Sequence, residues 1–341
     1  MKNRLATLAV GLCLVPACGD NVLALDAGHV DAAAAADAGL ADGDASTFGA
    51  HAFWFAFHAC NLKTTDCGDP QNHRVYLSTT NDFASFTLLP NWGMKGSVPD
   101  VVRRGNTVYV YVPGQVIRLR AGATTPDVAA NVNVIDLSGG YVDPSLYVDG
   151  NGRLVMFFLK GGGPGSGNPA GCPQGQSSCT KQFQSATEVD GSDGTEFVLD
   201  TGDRINLTVS PGGPAGTFLT ASDPDIFYDG KQYVIYTSHG QSLAVWTAAG
   251  LRDTYAQVKP TPTGYLTESG GIGAGYFDTK TSKYWTFVHV KEGGAPVIKR
   301  AIHDSLSATL AASVMSTILT GASSGLGADF GVESPSIAEN K

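Results

Sequence analysis

The chain has 341 residues, of which 43% are hydrophobic and 16% charged, and its formal net charge is −9. This is enough apolar material for one large core. The acidic balance, with no basic stripe, excludes a nucleic-acid surface built on phosphate neutralisation.

The opening "MKNRLATLAVGLCLVPAC" begins with Lys2 and Arg4, runs apolar from Leu5 to Val15 and closes on small residues. That pattern predicts an export signal over residues 1–17, too short for a lasting membrane span. Val15-Pro16-Ala17-Cys18 resembles the lipobox of bacterial lipoproteins, which implies a lipidated Cys18 at the start of the mature chain; the alternative is a secreted protein cut near Ala17. Residues 18–47 hold six Asp, no Lys or Arg, and no apolar periodicity, so they read as a disordered Ala/Asp-rich tether. The expectation is an exported lipoprotein, periplasmic or at the cell surface, held to a membrane through its lipid alone. Removing the first 47 residues leaves 20 basic and 25 acidic side chains for residues 48–341.

Cys60 and Cys67 frame "CNLKTTDC", and Cys172 and Cys179 frame "CPQGQSSC". Four cysteines allow three connectivities, of which two local bridges are the simplest in an exported protein. Zinc is the rival, but it would favour tighter Cys-x-x-Cys spacing and nearby paired His.

From residue 51 onward the chain is strand material. "HAFWFAFHAC" and "HRVYLSTTNDFASFTLL" come first, and then one phrase recurs: Ser97-Val98-Pro99-Asp100-Val101, Val142-Asp143-Pro144-Ser145-Leu146, Ser222-Asp223-Pro224-Asp225-Ile226, Glu268-Ser269-Gly270-Gly271-Ile272 and Glu333-Ser334-Pro335-Ser336-Ile337. Several copies lead into a turn and an aromatic or β-branched run, as in "VDGNGRLVMFF" and "YDGKQYVIYT", which is hairpin chemistry. Five similar strand starts predict an all-β, five-bladed β-propeller, with each Pro at the first residue of an inner strand. The last copy stops at Lys341 with no hairpin after it, so it is expected to pair with the N-terminal strands and close the ring. A β-sandwich offers no reason for the repetition. "SLSATLAASVMSTIL" reads as a short helix or a strand pair, and "GGGPGSG" as a loop, not a phosphate cradle.

"YVDPSLYVDGNGRLVMFF" and "SDPDIFYDGKQYVIYTS" resemble the five-bladed propellers of family-43 and related glycoside hydrolases, over residues 51–341. The resemblance implies an Asp base on the first blade, an Asp on the third that tunes the acid, and a Glu acid on the fourth, all facing an axial pocket. Carried over, the tuning residue falls on Asp223 and the acid on Glu268. The base slot holds Val98, and the nearest carboxylate is Asp100, two residues along on the same strand face and about 7 Å further. Asp143 is a further axial candidate, and His58, His239, His289 and Arg103 are placed to reach a pocket. The structural alternatives are that Asp143 and Asp223 accept backbone N–H bonds and that Asp100 and Asp225 are surface or turn residues.

Two functions follow. One is a glycoside hydrolase acting on extracellular poly- or oligosaccharide by carboxylate acid/base chemistry, with an atypical or missing base. The other is a non-catalytic glycan-binding or adhesion propeller. The expected partner is a carbohydrate and the expected state a monomer. No cofactor is expected, since no EF-hand-like spacing supports calcium at the axis.

Overall fold

The computed structural model describes residues 48–161, 171–214, 217–260 and 264–341. The expected signal, Cys18, the tether and most of "GGGPGSG" lie outside them. Within them the strands form five antiparallel-led sheets. Blade 2 is Asp100–Arg104, Thr107–Val112, Gln115–Arg120 and Ala130–Asn131; blade 3 starts with Tyr141–Val148 and Leu154–Lys160, blade 4 with Ser222–Tyr228 and Tyr233–Ser238, and blade 5 with Gly271–Asp278 and Lys283–Glu292. Blade 1 takes its inner strand, Phe330–Glu339, from the C-terminus and its next two, Phe53–Asn61 and Arg74–Thr80, from the N-terminal side. Phe55 stands opposite Ile337, so the expected ring closure is present. Regular helix among the described residues is confined to 3₁₀ turns, and residues 305–319 hold one of these, Ala312–Val314, before the strand Ser316–Leu319.

Each blade is covered on both faces by its neighbours, which is why Phe53–Asn61 reads as a continuous apolar run and not as an alternation. Phe55 and Phe57 turn toward blade 5 and meet Phe287 and Ile298, while Trp54 and Ala56 turn toward blade 2 and meet Val108 and Val110. One such apolar cluster fills every interface around the ring. The recurrent turn aspartates have a local cause. Asp149 accepts from the Asn151 and Arg153 amides, and Asp229 from those of Lys231 and Gln232, each closing its hairpin.

The repeated phrase is a repeated backbone conformation. Val98, Asp143, Asp223, Ile272 and Ser334 all lie in the left-handed region, with φ between 42° and 55°, which is rare for residues other than glycine and rarer for β-branched ones. In four of the blades the ladder skips at this point, so the phrase is a β-bulge that re-aims the next side chain. Two expectations are corrected here. Pro144, Pro224 and Pro335 lie inside their strands at the bulge, where no ladder N–H is needed. The blade 5 copy is Gly271-Ile272-Gly273-Ala274-Gly275, three residues later than the sequence alignment put it.

In four of the five blades a side chain just after the bulge points toward the next blade and accepts its free amide. Ser336 Oγ accepts from Val101 N–H at 2.9 Å, Asp100 Oδ2 from Leu146 N–H at 2.9 Å, Ser145 Oγ from Ile226 N–H at 3.1 Å and Asp225 Oδ2 from Gly275 N–H at 2.7 Å. Ala274 fills the fifth place, where no side-chain acceptor is available. Asp100 and Asp225 are therefore parts of this ring and not surface or turn residues; Asp100 is only 6% exposed.

Burial pushes Asp100 up from its ordinary 3.8 to about 7, against the opposing hydrogen bonds from Leu146, Ser336 and Ser145. The folded chain thus holds a proton that the unfolded chain releases, so this group's contribution to stability is full below about pH 4 and declines as pH rises toward 7. Urea unfolding of wild type is expected to lose stability across that window by at most about 1.4 kcal/mol per pH unit from this residue. Asp100→Asn is expected to lower that slope; an unchanged slope would contradict the assignment.

Candidate functional site

Below the ring, the inner strands enclose an axial cavity of about 520 Å³, walled by Asp100, Arg103, Tyr147, Phe227, Tyr276 and Ile337 among others. At the start of the inner strands, above the ring, lie Asp143 and Asp223, which are 9% and 7% exposed. The four predicted carboxylates are therefore divided. Asp143 and Asp223 are neighbours, Asp100 sits one residue level deeper with its oxygens occupied, and Glu268 is outside the inner strands.

Glu268 is exposed, on the loop between Tyr265–Thr267 and Gly271–Asp278. Its assignment to the inner strand came from the three-residue slip at blade 5, so the residue equivalent to Asp143 and Asp223 in that blade is the apolar Ile272.

Asp143 Oδ2 accepts from Asp223 N–H at 3.2 Å, and Ser222 Oγ donates to Asp223 Oδ2. Asp143 thus takes the expected role of accepting a backbone N–H, here from the next blade, while Asp223 accepts from a hydroxyl instead, and the contact brings the two residues together. Burial and then the Asp223 charge push Asp143 well up, and burial raises Asp223 while Ser222 opposes it. Two buried carboxyls at such range cannot both ionise easily, so the pair retains a proton toward neutrality.

The closing strand contributes a carboxylate that the sequence reading did not single out. Glu333 lies opposite His58 in the blade 1 ladder, with its Oε2 3.8 Å from His58 Nε2 and 3.7 Å from His289 Nδ1. Burial raises Glu333, but the His58 contact and the neighbouring imidazoles outweigh it, and the carboxyl falls below its ordinary value. In ring order, the blade of Glu333 stands across from the adjacent blades of Asp143 and Asp223, with Val98 and Ile272 between them on either side.

The other predicted contacts separate clearly. His239 has both nitrogens engaged, Nε2 with Thr237 Oγ1 and Nδ1 with Thr220 O, and stacks on Phe218; it supports blade 4. Arg103 donates to Gly105 O and to Asn340 Oδ1 and lies over Phe48, which ties the chain end while its flank walls the axial cavity. Both disulfides are local, Cys60–Cys67 and Cys172–Cys179.

His58, His73 and Glu333 place one possible ligand atom each within 4.8 Å of the others. The hydrogen bonds do not suit a metal, however. His58 Nδ1 accepts from Val98 N–H at 2.9 Å, so its proton is on Nε2 and no lone pair is left to offer there. His73 Nε2 donates to Cys67 O, leaving only its Nδ1. Two ligand atoms, not three, remain.

No family model and no curated protein matches the chain. Among solved structures it is similar to a GH43 β-xylosidase/α-arabinofuranosidase from a compost microbial metagenome in complex with xylotriose, at 15% identity over 73% of this chain and 86% of that one, TM-score 0.48. It is also similar to a GH43_1 enzyme from Xanthomonas citri complexed with xylose, at 16% identity over 67% and 77%, TM-score 0.45. A third is an endo-1,4-β-xylanase from Bacteroides thetaiotaomicron, at 11% identity over 72% and 86%, TM-score 0.43.

Proposed function

We propose that this chain is an exported glycoside hydrolase, anchored through Cys18, in which the Asp143/Asp223 pair is the general acid and Glu333 the general base. The observation that carries the reading is the contrast in environment. Two buried carboxyls share a site and resist ionisation, while a third, on the opposite side of the ring, is held ionised beside imidazole nitrogens. Titratable groups whose surroundings drive them apart are the acid and base of such reactions. The assignment reverses the family expectation of an Asp base and a Glu acid. Glu268 has no part in it. Two local disulfides support an oxidising compartment, and the glycan is an extracellular poly- or oligosaccharide.

The test is reducing-end release by the full chain from a panel of plant, algal and bacterial polysaccharides. Asp143→Asn is expected to lower kcat about 10²- to 10⁴-fold on unactivated substrates, with retention on an affinity gel of the same glycan unchanged. A second reading, a glycan-binding propeller, draws support from Val98 and Ile272, which leave two of the five equivalent positions apolar. Retention of wild type on the gel with no product from any substrate would decide for it.

A further inference from the structure

We propose that the axial cavity below the ring is a second ligand site, separate from the Asp143/Asp223 pair, and that it takes one or two neutral sugar rings. The site stands apart from the hydrolase reading, since none of Asp143, Asp223 and Glu333 lines the cavity.

All five inner strands contribute to its wall. Its volume of about 520 Å³ falls within the range of about 300–1,000 Å³ that small-molecule sites occupy. Five aromatic side chains, Tyr147, Phe227, Tyr228, Tyr276 and Phe277, supply much of the surface. Three of these rings are fixed by edge-to-face contacts: Tyr147 on Tyr233, Phe227 on Tyr236 and Tyr276 on Trp285. Gly275 lets the Phe227 ring lie against the blade 5 backbone, where a Cβ would come within 2.0 Å of it. Rigid rings with an apolar body and, at the tyrosines, a polar tip suit a ligand that has both C–H faces and hydroxyls.

The polar groups narrow the ligand further. Tyr147 Oη, Tyr228 Oη and Asp225 Oδ1 have no hydrogen-bond partner among the described residues and are reachable by solvent. Asp225 Oδ2 accepts from Gly275 N–H, and burial, then the charge of Asp100, holds its carboxyl well above the ordinary range. Its Oδ1 thus offers a neutral O–H. Both oxygens of Asp100 are taken, by Leu146 N–H and by the hydroxyls of Ser336 and Ser145, so this pair of acids is a poor ligand set for a metal ion. The charges farther out are also engaged: Lys341 pairs with Glu339, and Arg103 donates to Asn340 Oδ1. An anion therefore meets no cation that is not already engaged, and an apolar molecule would strand the three open polar groups. Sugar hydroxyls satisfy all three while the ring carbons cover the aromatic wall.

The test is a titration of the full chain with xylobiose, arabinobiose, cellobiose, maltose and chitobiose, followed in tyrosine-ring ¹H–¹³C spectra. At least one sugar is expected to shift the Tyr147, Tyr228 and Tyr276 signals saturably. Tyr228→Ala, at a position 42% exposed and so tolerant of the change, is expected to weaken that binding about tenfold, and Tyr147→Phe, which removes only a hydroxyl, by a similar factor. Tyrosine signals that no sugar moves, saturable shifts with tetramethylammonium chloride or CaCl₂ in place of the sugars, or undiminished affinity in both variants would each overturn the site. Asp143→Asn is expected to keep the shifts of wild type; their loss in that variant would place the sugar above the ring and overturn the site as well. A wild type that shows the shifts and hydrolyses nothing keeps the lower site and loses only the hydrolase reading.

Discussion

Glu333→Gln is expected to abolish turnover of both natural glycosides and aryl glycosides with activated leaving groups, by about 10²- to 10⁴-fold, while glycan retention is kept. A base is needed whatever the leaving group, because the water must lose a proton as it attacks. An acid is needed only where the departing oxygen is poor, so Asp143→Asn should lose far less on a dinitrophenyl glycoside than on a natural one. The two profiles separate the roles. If Glu333→Gln is the variant rescued by the activated substrate, Glu333 is the acid, as the family resemblance implies, and the acid and base assigned here exchange places. The glutamine is close in volume and the position is only partly buried, so loss of activity should come without loss of the fold, checked by unchanged near-ultraviolet circular dichroism.

The fold was legible because a propeller repeats its strand starts. Each inner strand must make the same bulge, and an X-Pro phrase records it where Pro fits the missing N–H. Blade 5 is hard to register from sequence because Gly270, Gly271 and Gly273 accept many conformations and no Pro marks the bulge, while nothing local announces that Ile272 takes φ of 42°. The sequence places Asp100 and Asp225 at turns or on the surface because their task, accepting an amide from the next blade, exists only once the ring is assembled.

Glu333 was the larger omission, and its signal was present. It heads the closing phrase, as Glu268 heads the fourth copy in the sequence alignment, and the predicted pairing of that phrase with "HAFWFAFHAC" pointed to the strand that holds His58, which the register places opposite Glu333. His289 is among the residues the sequence places near a pocket; what no sequence pattern supplies is its meeting with Glu333, since it arrives from blade 5 through the pairing of Gly271 with His289. Long-range convergence of this kind depends on which blades are neighbours and at what register, and residue type alone does not specify either.

Removal of residues 328–341 is expected to leave a chain with no cooperative unfolding transition in urea. The closing strand supplies the whole inner edge of blade 1 and, with it, one place in the amide ring: Ser336 accepts from Val101 N–H and donates to Asp100 Oδ1. Asn340, next to the strand end, accepts from Trp54 Nε1 and Arg103 Nη1 and donates to Gly49 O and His51 O, linking the segment before Phe53–Asn61 to Arg103 of blade 2. Val332, fully buried against the Phe55 cluster, leaves apolar surface open when it goes. Each buried polar group left without a partner costs about 1–3 kcal/mol, and several are exposed to that loss at once, together with the ladder to Phe53–Asn61. Against a total domain stability of about 5–15 kcal/mol, the truncated ring should not persist. Adding the missing segment as a synthetic peptide should restore the transition, because its binding site is formed by the rest of blade 1 and by its two neighbours. A truncated chain that unfolds cooperatively within about 2 kcal/mol of wild type would show that the ring holds without its clasp, and that the N- and C-terminal strands share a blade without securing the fold.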